Sequence, residues 1–224
     1  MSKWAILFFF FSLFCQASPN NVQQFEKIFK QKKIEKAQLK EIEKYVKANP
    51  KESVPFLLTV MKDESIIEKN RWPCFFWLAS ITGKESSRLL SLFLNHPSWM
   101  IRLAALKSLA SLGGKENIEV ITKRLKDVSI LVKIEAIKSL VFLKAKEKAS
   151  FIWSMIFDSS NYHTVKGKKR RSGVIAAVIW AVGELGLVEK MRELTILSKD
   201  KGYSDLKNEL SGSIKKLSFL KKSL

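Results

Sequence analysis

Residues 105–109 read Ala-Leu-Lys-Ser-Leu, and residues 136–140 read Ala-Ile-Lys-Ser-Leu. The two stretches lie thirty-one positions apart, and the register extends well beyond them. Trp77-Leu78-Ala79-Ser80-Ile81-Thr82-Gly83-Lys84-Glu85 falls over Ser108-Leu109-Ala110-Ser111-Leu112-Gly113-Gly114-Lys115-Glu116. Arg71 falls over Arg102 and Lys133, Cys74 over Ala105 and Ala136, and Phe75 over Leu106 and Ile137. A period of this length marks a stacked array, in which no single unit can bury its own apolar face.

Each line of the repeat divides into two helices. The spacing predicts the first over Ser98–Leu112, with Ile101, Ala105, Leu109 and Leu112 on one face. Trp99, Leu103, Leu106 and Ala110 make a second apolar stripe beside it, so this helix needs neighbours on two sides. Ser98 and Ser129 stand at N-cap positions, where a hydroxyl can accept a free first-turn amide hydrogen. Gly113-Gly114 supplies the positive φ that stops the helix. The second helix places Ile118, Ile121 and Leu125 on one face, with Val120 beside them. Its counterparts are Leu89, Leu90, Phe93 and Leu94 in the preceding line, and Phe151, Ile152, Met155 and Ile156 in the next. Asp127 and Asp158 close their lines at matching positions.

After Asp158 the register breaks, and Leu185-Gly186 matches Leu112-Gly113 only across an insertion near Ser159–Arg171. A fourth pair resumes at Gly173–Leu185 and Val188–Lys199, and a last helix spans Ser204–Leu220. Upstream, Asn21–Lys32 is predicted as a capping helix, followed by a looser pair at Lys33–Ala48 and Ser53–Lys62. Pro73 is expected either to open its helix or to kink it. The fold class that follows is all-α: an α-α superhelix of about five helix pairs. Nine glycines and five prolines in 224 residues agree with few turns.

A helix pair with Ala-Leu-x-x-Leu in its first helix, a Leu-Gly stop and an Asp before the next pair resembles a HEAT-like repeat. It is most similar to the short bacterial kind first noticed in phycobilisome lyases. The resemblance covers Arg71–Glu189 well and the flanks weakly. It implies an α-solenoid used for binding. It also implies a buried ladder in which an acid between units meets a base in the next first helix, as Asp127 and Lys133 would; His96 stands where the acid before Arg102 belongs.

The first residues predict a compartment. One early cation, Lys3, precedes an apolar run from Trp4 to Phe11 that resumes at Leu13 and Phe14. Cys15-Gln16-Ala17 then places small residues at minus three and minus one of a cut after Ala17. This reads as a secretory leader, too short to span a bilayer. The expected organisation is 1–17 signal peptide, 18–66 capping helices and first pair, and 67–224 repeats with a basic insertion at 159–171. The expected location is periplasmic or secreted, with lipid anchoring through Cys15 as an alternative that Ser12, Leu13 and Phe14 fit poorly. Cleavage would take the net charge from +19 to +18 and leave Cys74 as the one cysteine, so the fold must stand on packing alone.

The excess of cations, 40 Lys and Arg against 21 Asp and Glu, suits an anionic polymer or an anionic membrane surface, and equally mere solubility. Its densest cluster is Lys166, Lys168, Lys169, Arg170 and Arg171, within the insertion beside Tyr162 and His163. That cluster reads either as a loop contacting phosphate or carboxylate groups or as a solvated, protease-sensitive linker. A second candidate set, Arg88, Lys123, Arg124, Lys126 and Arg192, lies on the polar faces of the second helices, the usual concave side of such arrays. Lys84, Lys115 and Lys146 recur in register, but Glu85, Glu116 and Glu147 follow them and cancel most of the charge. The tryptophans Trp72, Trp77, Trp99, Trp153 and Trp180 read chiefly as core, and Cys74, aligned with two alanines, as a small buried hydrophobe.

Catalysis finds little support. His96 and His163 are the two histidines and have no metal-ligand spacing; no phosphate loop, no nucleophile elbow and no convergent acid pair occurs. The expectation is a non-enzymatic scaffold without cofactor or small-molecule substrate, binding a protein or peptide in the cell envelope. The alternative is a binder of nucleic acid or an envelope polyanion, remotely a HEAT-like DNA glycosylase, whose catalytic set has no match here. A tetrapyrrole lyase, suggested by the short-repeat relatives, has no residue to support it.

Overall fold

The computed structural model describes residues 19–165, 168–171 and 173–223, with side chains for 21–162 and 173–223. The expected leader at 1–17 lies outside the described residues. The chain divides into two compact units that meet at Gly83–Lys84.

The first unit contains α1 (Pro19–Phe29), α2 (Lys36–Ala48), α3 (Pro50–Lys62) and α4 (Glu68–Thr82). Pro50 opens α3 at its first turn, where the missing amide costs nothing. Pro73 does not open its helix. It sits inside α4, which begins at Glu68, and offers no amide hydrogen to the carbonyl one turn back. Phe25, Phe29 and Phe56 form the centre of the core, and Phe29 meets the edge of Trp77 at 6.3 Å. The carbonyls left open at the end of α1 are taken by buried Asn70, whose Nδ2 donates to Phe29 O at 3.0 Å and Gln31 O at 2.7 Å.

The second unit is a row of helix pairs. Its first helices are α6 (Trp99–Leu112), α8 (Ile130–Phe142), α10 (Gly173–Glu184) and α12 (Lys207–Ser223). Its second helices are α5 (Ser87–Leu92), α7 (Lys115–Lys123), α9 (Ala149–Ser154) and α11 (Met191–Lys199). α6, α8, α10 and α12 pack side by side in sequence, and each second helix packs on the first helix that follows it. The repeat register predicts burial well: Cys74, Ala105 and Ala136 are each 0% exposed, as are Phe75, Leu106 and Ile137. Burying one such Leu or Phe contributes about 2 kcal/mol, so the shared stripes carry most of the stability. Two expected core members are exposed instead, Trp99 at 40% and Phe151 at 54%.

The joints between pairs use one device. At each, a side chain accepts the amide hydrogen two residues on: Asp63 from Ser65, His96 (Nδ1) from Ser98, Asp127 from Ser129, Asp158 from Ser160 and Asp200 from Gly202. The hydroxyls of Ser98 and Ser129 do not cap their helices as expected. The preceding side chain holds the turn from outside, and the serine amide is donor rather than its hydroxyl acceptor. The expected Asp127–Lys133 pair also fails. Asp127 takes both oxygens to Arg102, with Nε to Oδ2 at 2.9 Å and Nη2 to Oδ1 at 2.7 Å. Nη1 of Arg102 donates to the carbonyls of His96 and Pro97, so the missing acid at 96 leaves that guanidinium satisfied. Lys133 reaches into the next joint, donating to Ser160 Oγ and Asn161 Oδ1, each at 2.8 Å. Arg102 and Lys133 therefore each reach the joint after their helix, and Arg102 holds the joint before it as well.

The insertion is not a loop throughout. Tyr162–Val165 (β1) and Lys168–Arg171 (β2) form an antiparallel hairpin, with Tyr162 opposite Arg171 and Val165 opposite Lys168. Tyr162, Thr164 and Val165 favour extended backbone, and the two short runs supply each other's ladder bonds. The hairpin is rooted by Tyr162, whose hydroxyl donates to Ile156 O at 2.6 Å, and by fully buried Asn161, whose Nδ2 donates to Met155 O at 2.8 Å.

Candidate functional site

The two expected cation sets have different fates. Of the first, Lys166 lies outside the described residues, while Lys168, Lys169, Arg170 and Arg171 make up strand β2. Of the second, Arg124 is committed to the fold: Nη1 donates to Leu94 O at 2.8 Å and stands 3.9 Å from Asp127. Lys123, Lys126 and Arg192 are exposed. Arg88 borders a polar cleft of about 310 Å³ together with Glu85, Glu116 and Asn117. Asn117 closes the end of α6 there, donating to Gly113 O at 2.6 Å. Its acids balance its cations, which gives an anion little reason to enter.

A different cleft offers more. It measures about 430 Å³ and is lined by Trp153, Ile156, Phe157, Tyr162, Glu193, Ile196, Leu197 and Tyr203. α9 and its following turn supply one wall, α11 the opposite wall, and the root of the hairpin the end. Trp153 and Phe157 meet edge to face at 6.2 Å, and Lys190 Nζ stands 5.3 Å from the Trp153 ring centre. Lys190 also donates to Glu193 at 3.0 Å, and that bond holds the Glu193 carboxyl below its ordinary pKa. Phe157 is 73% exposed and Ile196 59% exposed, so the cleft opens through apolar lips.

This arrangement can seat an apolar or aromatic side chain against fixed rings, with an ion pair at the rim to orient it. It is ill equipped for proton transfer, because Glu193 stays ionised at neutral pH and the Tyr162 hydroxyl is spent on a backbone carbonyl. Among the described residues, no three His, Cys, Asp or Glu side chains gather as a metal site, and no helix is long and apolar enough to cross a membrane. Burial pushes the Cys74 thiol up, far from thiolate reactivity.

Sequence reading missed this cleft, although a signal existed. Phe157 occupies the repeat position of Lys126 and Asn95. An apolar residue at a phase that is polar in the neighbouring units marks a face with a use other than solvation.

Residues 86–168 match the family model for HEAT repeats. The two-helix units and their repeating core positions fit a HEAT-like repeat protein. No curated protein matches it.

Proposed function

We propose that this protein is an exported, non-catalytic HEAT-like scaffold that holds a protein or peptide partner in the cell envelope. The cleft between α9 and α11 would receive an apolar side chain of that partner. The observation that carries the reading is the pair of exposed lips, Phe157 and Ile196, over an otherwise ring-lined cleft. Folded chains rarely leave such a surface open without a use. HEAT arrays present side-chain surfaces rather than catalytic loops, and the ionised Glu193 and committed Tyr162 suit recognition over chemistry. Export rests on the apolar leader and its Cys15-Gln16-Ala17 end.

A photo-crosslinking residue placed at Ile196 and, separately, at exposed Lys115 tests the cleft in living cells. The reading predicts a discrete adduct from position 196 that disappears with Phe157→Ser, and none from 115. Equal adducts from both positions, or none from either, would remove the cleft from consideration. Mapping the N-terminus of the fractionated protein tests export. Ser18 in the envelope fraction is expected, and an intact Met1 in the cytoplasm contradicts it.

A further inference from the structure

The cleft between α9 and α11 is equipped to choose among the side chains that could enter it. Among the described residues that line it, Glu193 alone is charged, and the others are aromatic or aliphatic. Lys190 donates to Oε1 of that carboxylate at 3.0 Å. A carboxylate offers about four acceptor positions over its two oxygens, so Glu193 keeps the capacity to accept from a guest. The bond from Lys190 holds the carboxyl below its ordinary pKa, and the charges of Lys190 and Arg192 act in the same direction. A guest in the cleft therefore meets one ionised acceptor in a wall of rings.

Size and shape suit an aromatic guest. A cavity of about 150 Å³ is enough for benzene, and this cleft measures about 430 Å³. Trp153 and Phe157 stand at 80° to one another with their centres 6.2 Å apart. A third ring can stack on one wall of that corner and turn its edge to the other. Charge narrows the choice further. A cationic guest would join Lys190 and Arg192 around a single acid, and an acidic guest would bring its charge against Glu193. A hydrocarbon ring would shut water away from the carboxylate and leave that acceptor unpaired. A neutral ring that carries its own donor avoids all three costs.

We propose that the partner residue received by this cleft is an aromatic side chain bearing a hydrogen-bond donor, the phenol of tyrosine or the indole of tryptophan, which donates to Glu193. The inference rests on the cleft being the docking site proposed above, and adds what that site selects. Phe157 and Ile196 then grip any ring, while Glu193 tells a ring with a donor from one without.

Ligand-observed NMR titration of the full chain with N-acetyl-tyrosinamide and N-acetyl-phenylalaninamide compares two guests that differ by one hydroxyl. The tyrosine amide should bind about tenfold more tightly, as a hydrogen bond to a charged acceptor warrants. N-acetyl-tryptophanamide should likewise outbind its N1-methyl form. Glu193→Leu should bring the tyrosine amide down to the phenylalanine amide and leave the latter no weaker. Phe157→Ser should weaken both amides alike. The Glu193 side chain is 40% exposed and Phe157 73%, so both variants should fold. Equal binding of the two amides, with Phe157→Ser still weakening both, would overturn the selection and leave the cleft standing. A tyrosine preference that survives Glu193→Leu would also overturn it. So would binding of neither amide, and the adduct at position 196 then decides the cleft separately.

Discussion

At the residue scale, the Arg102–Asp127 pair is the most informative contact. Both side chains are buried, at 8% and 3% exposure, and both oxygens of the carboxylate are used. Such a pair is weak evidence of net stabilisation, but breaking it strands a charge. Asp127→Ala should cost about 3–5 kcal/mol in denaturant unfolding. Arg102→Met combined with Asp127→Leu should recover most of that loss, and a double variant as unstable as the single would show the pair to be irreplaceable. The acids at two other joints give the fold a sign in acid. The hydroxyl and amide of Ser65 hold Asp63 below its ordinary 3.8, and those of Ser160 do the same for Asp158. A depressed folded pKa contributes stability above the unfolded value, and that contribution disappears as pH falls through the folded one. Asp63→Asn and Asp158→Asn should therefore flatten the loss of stability below about pH 4, as followed by unfolding midpoints, and leave its slope near neutrality unchanged.

At the scale of elements, helix existence and phase were legible because each helix carries its core at fixed spacing. α6 begins at Trp99 where Ser98–Leu112 was predicted, and α11 ends at Lys199 as expected. Three features were not legible. Asp127 stands far closer in sequence to Lys133 than to Arg102, and only the layer order decides which joint a base faces. The hairpin is too short to show an alternating pattern, and its cations mask its extended preference. The cleft joins two pairs across the insertion, so no single repeat contains it. One close approach is set by small residues: a Cβ on Gly183 of α10 would stand 2.9 Å from Ser213 Cα of α12, where Ser213 Oγ donates to Ile179 O at 2.8 Å. Gly183→Ala must push these helices apart and should cost about 1–3 kcal/mol, read as a lowered thermal midpoint. An unchanged midpoint would mean that α12 moves freely against α10.

For the whole molecule, the central claim is that units of thirty-one residues repeat one environment, so that equivalent positions are interchangeable in kind. Cys74 tests it without foreign chemistry, since Ala105 and Ala136 hold its place in the next two units and all three are fully buried. The direct measurement is thiol labelling in chains with Cys15→Ser, carrying a single cysteine at 74, at 105 (Ala105→Cys with Cys74→Ala) or at 136 (Ala136→Cys with Cys74→Ala). Each thiol should react only as fast as the chain unfolds, and rapidly once denaturant is added. Rapid labelling of either new cysteine in a native chain whose Cys74 resists would contradict the repeat as the basis of the fold.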